Sequence, residues 1–289
     1  MAALRRRGLR VAAGKVGPDF IDPGYHEIAT GRPGRNLDAW ICRPEQIAPL
    51  AAHAAEGSDV LVIEGVMGLF DGASDNPSVG AADDDPGEER SSSTAHIARL
   101  LDAPVILVID AASTSQSVAA TVHGFATYDP RVRVAGIVLN RVGSDSHEVL
   151  LREALGDLKI PVMGALRRDD AFVWRDRHLG LVPVAEHREE VQRSIERLAS
   201  AMEQHCDLDA IVDLARRAPM LTTPMPLRAD HVADVRVAVA SGPAFSFIYP
   251  DNLEAMEDAG AELVQFDPRS ARALPEHIHA LYVGGGFPE

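Results

Sequence analysis

Cysteine and lysine are both scarce in this chain of 289 residues. Its two cysteines, Cys42 and Cys206, lie far apart in the sequence, which suits neither a zinc site nor a disulfide framework. Its two lysines are Lys15 and Lys159, so arginine supplies nearly all of the positive charge. Zinc-stabilised and disulfide-stabilised folds are therefore not expected.

Long apolar runs and an excess of positive charge are also missing. No run of about 18 apolar residues is available to span a bilayer, and the amino terminus lacks a signal-peptide pattern. The chain has 28 basic and 43 acidic residues and a net charge of −15, which argues against nucleic acid or an anionic membrane as a partner. We therefore expect a cytoplasmic protein, and a homodimer stays open.

Strand-like and helix-like segments alternate along most of the chain, which is typical of an α/β fold with a parallel sheet and helices on both faces. The predicted strands are residues 9–13, 60–63, 105–109, 132–139 and 161–165. The predicted helices are residues 94–101, 116–126, 147–155 and 186–204. The last of these has the clearest amphipathic pattern, which predicts a helix packed on the core.

Proline interrupts this alternation in residues 218–226, so we predict a linker at 218–234. It separates a first domain at 1–217 from a second unit at 235–289. The second unit is predicted to contain strands at 235–240, 262–266 and 280–283 and a helix at 252–259.

Both ends of the chain look incomplete for such a fold. The residues before the first predicted strand are helix-like, whereas a domain of this kind normally begins with a strand and a phosphate-binding turn. No G-x-x-x-x-G-K-[ST] run occurs in the sequence. At the other end the chain stops soon after its last predicted strand. The sequence therefore predicts truncation at both ends.

Two acidic strings each follow a predicted strand: Gly-Pro-Asp-Phe-Ile-Asp-Pro at 17–23 and Glu-Gly-Val-Met-Gly-Leu-Phe-Asp-Gly at 64–72. Open α/β sheets bind ligands at the carboxyl ends of their strands, so we expect four carboxylates near one crevice. Carboxylates there can hold Mg²⁺, which bridges nucleotide phosphates. The alternatives are a strand-end acid that caps a turn and a proline-stiffened turn with solvated charges. The four carboxylates are Asp19, Asp22, Glu64 and Asp71.

Two further polar residues lie near predicted strand ends. Lys15 is placed on the loop after the first strand, together with Asp19 and Asp22, where it can neutralise a phosphate or a substrate carboxylate. Asn140 follows the strand predicted at 132–139. Its amide suits the edge of an adenine ring, although a turn asparagine fits the local sequence nearly as well.

Both acidic strings resemble those of the cobyrinic and hydrogenobyrinic acid a,c-diamide synthases, a family of corrin biosynthesis. Residues 93–98, 136–141, 178–183 and 244–253 resemble the same family in the same order, so the resemblance covers essentially the whole chain. It implies a dethiobiotin-synthetase-like P-loop NTPase domain, followed by the start of a flavodoxin-like class I glutamine amidotransferase domain.

The resemblance also implies a reaction. Glutamine is hydrolysed in the second domain and its ammonia passes to the first. ATP with Mg²⁺ activates the a and c acetate side chains of the corrinoid as acyl phosphates, and ammonia displaces phosphate to give amides. The implied partners are thus the corrinoid, ATP and glutamine.

Site residues follow from the same resemblance. The missing P-loop, and a glutaminase nucleophile and histidine that would lie beyond residue 289, predict that this chain alone is inactive. Residues 241–243 also differ from the charged residues usual there. The implied roles are metal binding by Asp19 and Glu64, catalysis by Lys15, Asp22 and Asp71, substrate binding by Tyr25 and His26, ATP binding by Asn140 and Pro183, and a glutaminase oxyanion turn at Gly284, Gly285 and Gly286.

Three alternatives stay open. Dethiobiotin synthetase lacks a second domain, which residues 235–289 disfavour, and cobyric acid synthase differs in the loop after the second strand. A non-catalytic module of similar fold, like the partitioning ATPases, is disfavoured by the acids on both loops. The sequence leaves open whether the corrinoid contains cobalt and in which order its acetates react.

Overall fold

The computed structural model describes residues 1–72, 92–169, 184–221 and 235–287. The strands are β1 Val11–Val16, β2 Arg35–Leu37, β3 Val60–Glu64, β4 Val105–Asp110, β5 Val134–Val142, β6 Val162–Arg167, β7 Arg236–Ala240, β8 Glu262–Phe266 and β9 Ala280–Val283. The helices are α1 Ala2–Arg6, α2 Asp22–Thr30, α3 Ala39–Cys42, α4 Pro44–Ala55, α5 Thr94–Leu100, α6 Ser117–Tyr128, α7 Asp145–Leu155, α8 Val184–His205, α9 Leu208–Arg216 and α10 Pro250–Asp258.

The strands form three-stranded parallel sheets in the orders β2-β1-β3, β4-β5-β6 and β8-β7-β9. In the first sheet, Lys15 of β1 is the register partner of Asn36 on one side and of Glu64 on the other. Because all three strands run in the same direction, their carboxyl ends meet at one edge. This edge carries both acidic strings.

Both faces of the first sheet are covered by helices. Val60 and Val62 of β3 pack with residues of α1, α8 and α9, whereas Leu61 and Ile63 pack with residues of α4 and α5. Successive side chains of a strand point to opposite faces, so an unbroken apolar run is what a strand buried on both faces requires. The predicted α/β class with helices on both faces is confirmed.

Some element bounds differ from the predicted ones. The first strand was expected at 9–13 but extends to Val16, so Lys15 lies inside β1 and not on the loop after it. The strand expected at 132–139 extends to Val142 and includes Asn140. In both places a polar residue interrupts the apolar run, although the backbone ladder continues through it.

Other parts of the prediction are matched or lie outside the described residues. The strands at 262–266 and 280–283 have the predicted bounds. The elements that had not been predicted are β2, α2, α3, α4 and α9. Most of the linker expected at 218–234 lies outside the described residues, and the division into domains stays a prediction. No helix in the described ranges is long and apolar enough to cross a membrane.

Candidate active site

Lys15 is the centre of a charged cluster at the shared edge of β1 and β3. Its side chain is buried, and its Nζ lies 2.5 Å from Oδ2 of Asp22 and 3.4 Å from Oε1 of Glu64. Nζ also donates to the carbonyl oxygen of Gly65 at 3.4 Å. The sheet register places Glu64 beside Lys15, and α2 begins at Asp22. A buried ammonium is stabilised only when it is paired in this way.

His26 contacts the other oxygen of Glu64. Its Nε2 lies 2.5 Å from Oε2 of Glu64, and its side chain is 5% exposed. Because an ionised carboxylate can only accept, Nε2–H of His26 is the donor. Nδ1 of His26 is buried and has no hydrogen-bond partner within the described ranges. The structure shows this contact of His26 with Glu64, and the binding of substrate by His26 stays a prediction.

The pKa values of the cluster follow from burial and pairing. Burial opposes ionisation of Glu64, but the hydrogen bond from His26 and the charge of Lys15 outweigh it and lower the pKa of Glu64. Burial raises the pKa of Asp22, and the bond from Lys15 offsets this only in part. Burial would lower the pKa of Lys15, but Asp22 and Glu64 raise it overall. The cluster therefore holds a fixed ammonium between two carboxyls of different acidity.

The loop after β1 is held from within and from β2. Oδ1 of Asp19 accepts hydrogen bonds from the backbone N–H of Ile21 at 2.7 Å and of Asp22 at 2.9 Å. Nδ2 of Asn36 donates to the carbonyl oxygens of Gly17 at 2.7 Å and of Asp19 at 2.9 Å. Asp19 therefore closes the turn that leads into α2, whose N-cap residue is Ile21, and Asn36 fixes the position of this loop relative to β2.

The loop after β3 is held from within by Asp71 and from α5 by Thr94. Oδ2 of Asp71 accepts from the N–H of Gly68 at 2.9 Å, and Oγ1 of Thr94 accepts from the N–H of Val66 at 2.9 Å. Met67 has a φ of 47° and is 81% exposed. Asp71 therefore stabilises this loop, and it is not among the residues that contact Lys15 in the charged cluster.

The four predicted carboxylates are therefore only partly brought together. Lys15 joins Asp22 to Glu64, the charge of Asp19 acts on Asp22, and Asp71 bonds within its own loop. Across the described part of the chain, no group of three or more His, Cys, Asp or Glu side chains could hold a metal ion. Mg²⁺ needs less, because it is usually held by one or two carboxylates, waters and substrate phosphates.

The donor chemistry fits such a magnesium site. The Glu64 side chain is 47% exposed, so a metal can reach a carboxylate whose lowered pKa keeps it charged. Asp19 is half-buried and offers hard oxygen atoms from the neighbouring loop. The assignment of these two acids to Mg²⁺ stays a prediction.

The remaining predicted residues lie elsewhere. Oδ1 of Asn140 accepts from the N–H of Arg141 at 2.9 Å, at the carboxyl-terminal part of β5. Tyr25 is half-buried in the first turn of α2. Gly285 exchanges two backbone hydrogen bonds with Phe247, and a Cβ at Gly286 would collide with a backbone carbonyl. Pro183 lies outside the described residues.

Two supporting residues were missed by reasoning from the sequence. Asn36 and Thr94 act through hydrogen bonds to loops that are distant in the sequence. Thr94 stands at the start of a predicted helix, which favours small hydroxyl residues for capping alone. Nothing in the local pattern distinguishes either from an ordinary polar residue.

Comparison with known proteins shows the family to which the chain belongs. The family described as CobQ/CobB/MinD/ParA nucleotide binding domain matches residues 1–181. Over its whole length, the chain is 46% identical to a hydrogenobyrinate a,c-diamide synthase of Streptomyces coelicolor and 45% identical to one of Thermobifida fusca. It is 40% identical to a cobyrinate a,c-diamide synthase of a Synechococcus strain. These matches confirm the resemblance carried by the two acidic strings.

The chain spans only part of these relatives. It covers 64% of the Streptomyces coelicolor protein and 61% of each of the other two. The activity and substrates of a whole relative are therefore carried over only as a proposal.

Proposed function

Since this chain belongs to the family of CobQ/CobB/MinD/ParA nucleotide binding domains, we propose that it supplies the amide-forming site of a cobyrinate or hydrogenobyrinate a,c-diamide synthase. In the proposed reaction, ATP and glutamine are used to amidate the a and c acetate side chains of the corrinoid. Identity of 40–46% over the whole chain to proteins with these names supports the assignment.

The observation that carries the proposal is the cluster of Lys15, Asp22, Glu64 and His26. It lies at the carboxyl ends of two parallel strands, where this class of sheet binds its ligands. A reaction between a carboxylate and a triphosphate brings two anions together. A buried, fixed ammonium beside a carboxylate suited to Mg²⁺ provides the positive charge that such an encounter needs.

The proposed reaction needs ammonia, which is released when water hydrolyses the side-chain amide of glutamine to give glutamate. An acetate oxygen attacks the γ-phosphorus of ATP, the bond to the bridging oxygen breaks, and ADP leaves. Ammonia then attacks the acyl carbon, phosphate leaves with the bonding electron pair, and a proton is released. Phosphoryl transfer of this kind depends mainly on positioning and charge neutralisation.

The residues have separate proposed roles. Lys15 neutralises charge on the phosphate or the acetate, while Asp22 fixes the position of its ammonium. Asp19 and Glu64 would hold Mg²⁺, which neutralises charge on the phosphates when bound. His26 orients Glu64 and also contacts the substrate, and Asp71 fixes the loop after β3 and takes part in activation of the acetate.

The wider organisation is also part of the proposal. Residues 1–217 form the amidoligase unit, 218–234 the linker, and 235–289 the first part of a glutamine amidotransferase unit with its oxyanion turn at Gly284, Gly285 and Gly286. Asn140 and Pro183 serve the adenine side of ATP, and Tyr25 the corrinoid. We place the protein in the cytoplasm and leave a homodimer open.

A chimera tests the proposed activity. In it, this chain replaces the matched part of the Streptomyces coelicolor relative, whose own residues supply the remainder. We expect ATP turnover that depends on hydrogenobyrinic or cobyrinic acid, together with corrinoid amides detected by mass spectrometry. ATP turnover unaffected by either corrinoid, without amide formation, would favour a non-catalytic module instead.

A further inference from the structure

An aromatic stack joins the loop after β1 to the residues after β7. The ring of Phe20 stacks on that of Phe247 with centroids 5.2 Å apart, and on that of Tyr249 with centroids 4.3 Å apart. The interplanar angles are 11° and 15°. We call Phe20, Phe247 and Tyr249 the aromatic joint.

The aromatic joint connects two predicted sites, the loop that carries Asp19 and the turn at 284–286. Phe20 directly follows Asp19, whose carboxylate bonds the backbone of Ile21 and Asp22. Phe247 exchanges backbone hydrogen bonds with Gly285 in both directions, at 3.0 and 3.2 Å. A displacement of either ring therefore pulls directly on the backbone of one of the two loops.

A charged contact supports the same arrangement. The guanidinium of Arg35 lies 2.6 Å from Oδ1 of Asp251 and 2.6 Å from Oε1 of Glu254, and the Arg35 side chain is 11% exposed. Glu254 also contacts His53 at 2.7 Å. Arg35 precedes Asn36, which holds the loop after β1. Helix α10 therefore contacts β2, the strand whose Asn36 holds the loop at 17–22, and the aromatic joint contacts the same loop through Phe20.

We propose that Phe20 and Phe247 are positioning residues that make the order of the loop at 17–22 and the order of the turn at 284–286 depend on each other. If the proposed function holds, glutamine hydrolysis and amide formation are coupled through the aromatic joint, and this consequence alone rests on the proposed function. Thermodynamic linkage requires the dependence to be reciprocal.

Reciprocity can be measured on the 289-residue chain itself by hydrogen exchange. In Phe247→Leu, the backbone amides of residues 21 and 22 should exchange roughly 3- to 10-fold faster, because loss of the stack on Phe20 loosens the loop at 17–22. In Phe20→Leu, the amides of residues 247 and 285 should accelerate by a similar factor. Phe247→Tyr keeps the stack and should restore slow exchange at both sites.

Tyr128→Leu is the matched control. Tyr128 packs on Phe70 with centroids 4.7 Å apart, and neither ring belongs to the aromatic joint, so its loss should leave both loops unchanged. Acceleration confined to the loop that carries the substitution would overturn the proposal. If Phe247→Leu does not fold, Tyr249→Leu removes the other ring that stacks on Phe20, and the amides of residues 21 and 22 should again exchange faster than in Tyr128→Leu. Unchanged exchange there would overturn the proposal equally.

The chimera tests the functional consequence. In Phe20→Leu and Phe247→Leu, the ratio of glutamate released to amide formed should rise at least about 2-fold. A purely structural loss lowers both activities together and keeps the ratio of the parent chimera, which would overturn the coupling. If the parent chimera forms no amide, the proposed function fails, and the hydrogen-exchange result still decides the reciprocal positioning.

Discussion

Replacement of Lys15 by methionine removes a buried ammonium that contacts both Asp22 and Glu64. Breaking a buried ion pair by removing one partner generally costs about 3–5 kcal/mol. Glu64 keeps His26 as a partner and its side chain is 47% exposed, so part of the penalty is relieved by solvent. We therefore expect the free energy of unfolding to fall by about 2–4 kcal/mol.

The penalty should depend on pH. Burial already raises the pKa of Asp22 in the folded protein, and loss of Lys15 raises it further. A carboxyl with a raised folded pKa loses stability as the pH rises from its unfolded pKa through its folded pKa. The cost of Lys15→Met should therefore be larger at about pH 8 than at about pH 5, where Asp22 takes up a proton more readily.

Urea unfolding at both pH values measures this effect. Lys159→Met is the control, because Lys159 is exposed and its replacement should change stability by less than about 0.5 kcal/mol. Adding Asp22→Asn to Lys15→Met should restore part of the loss, since it removes the uncompensated carboxylate. If Lys15→Met is as stable as Lys159→Met at both pH values, the charged cluster does not stabilise the fold as argued.

Three other substitutions or treatments test separate parts of the structure. Asp129 accepts hydrogen bonds from Arg131 and Arg99, which lower its pKa. Asp129→Asn should therefore lower the free energy of unfolding, measured by urea denaturation at neutral pH, by about 1–3 kcal/mol. A lowered folded pKa gives stability that is lost as the pH falls through it, so this difference should shrink below about pH 4. Burial raises the pKa of Cys206 to about 11. With the other cysteine replaced by serine, the folded chain should react with a disulfide reagent at about pH 8 roughly 100-fold more slowly than the urea-unfolded chain; equal rates would contradict this. In the chimera, Glu64→Gln should lower amidation at least about 100-fold while glutaminase activity survives, and a parental rate at limiting Mg²⁺ would show that the metal assignment is wrong.

The general architecture was accessible from the sequence because it depends on local pattern. The unbroken apolar run at 60–63 predicts a strand buried on both faces, and the structure has one there. The acidic string after it contains the glycines and the aspartate that close its loop. Strand-end placement of the site follows from these two features alone.

The partners of individual side chains were less accessible. Lys15 was predicted on a loop because the apolar run of the first predicted strand ends at Ala13. A lysine lies within such a strand only where its charge is paired. The pairing comes from the register of β1 against β3 and from the start of α2, neither of which has a local sequence signal. The contact of His26 with Glu64 spans 38 residues and was missed for the same reason.

The contacts between distant segments were hidden most completely. Phe20 lies inside a recognisable string, yet nothing near it indicates stacking on Phe247 and Tyr249. Arg35 and Asn36 belong to a strand of three residues, which is too short to give a periodic signal. Such contacts are fixed by tertiary packing and become visible only in the folded chain.

Isotope transfer tests the central claim most directly. Hydrogenobyrinic acid labelled with ¹⁸O in its a and c carboxylates is given to the chimera with ATP, Mg²⁺ and glutamine. Because the account routes each acetate through an acyl phosphate, one labelled oxygen should appear in inorganic phosphate for each amide formed, with the a,c-diamide as the product. Absence of the diamide, or a diamide accompanied by unlabelled phosphate, would contradict the account.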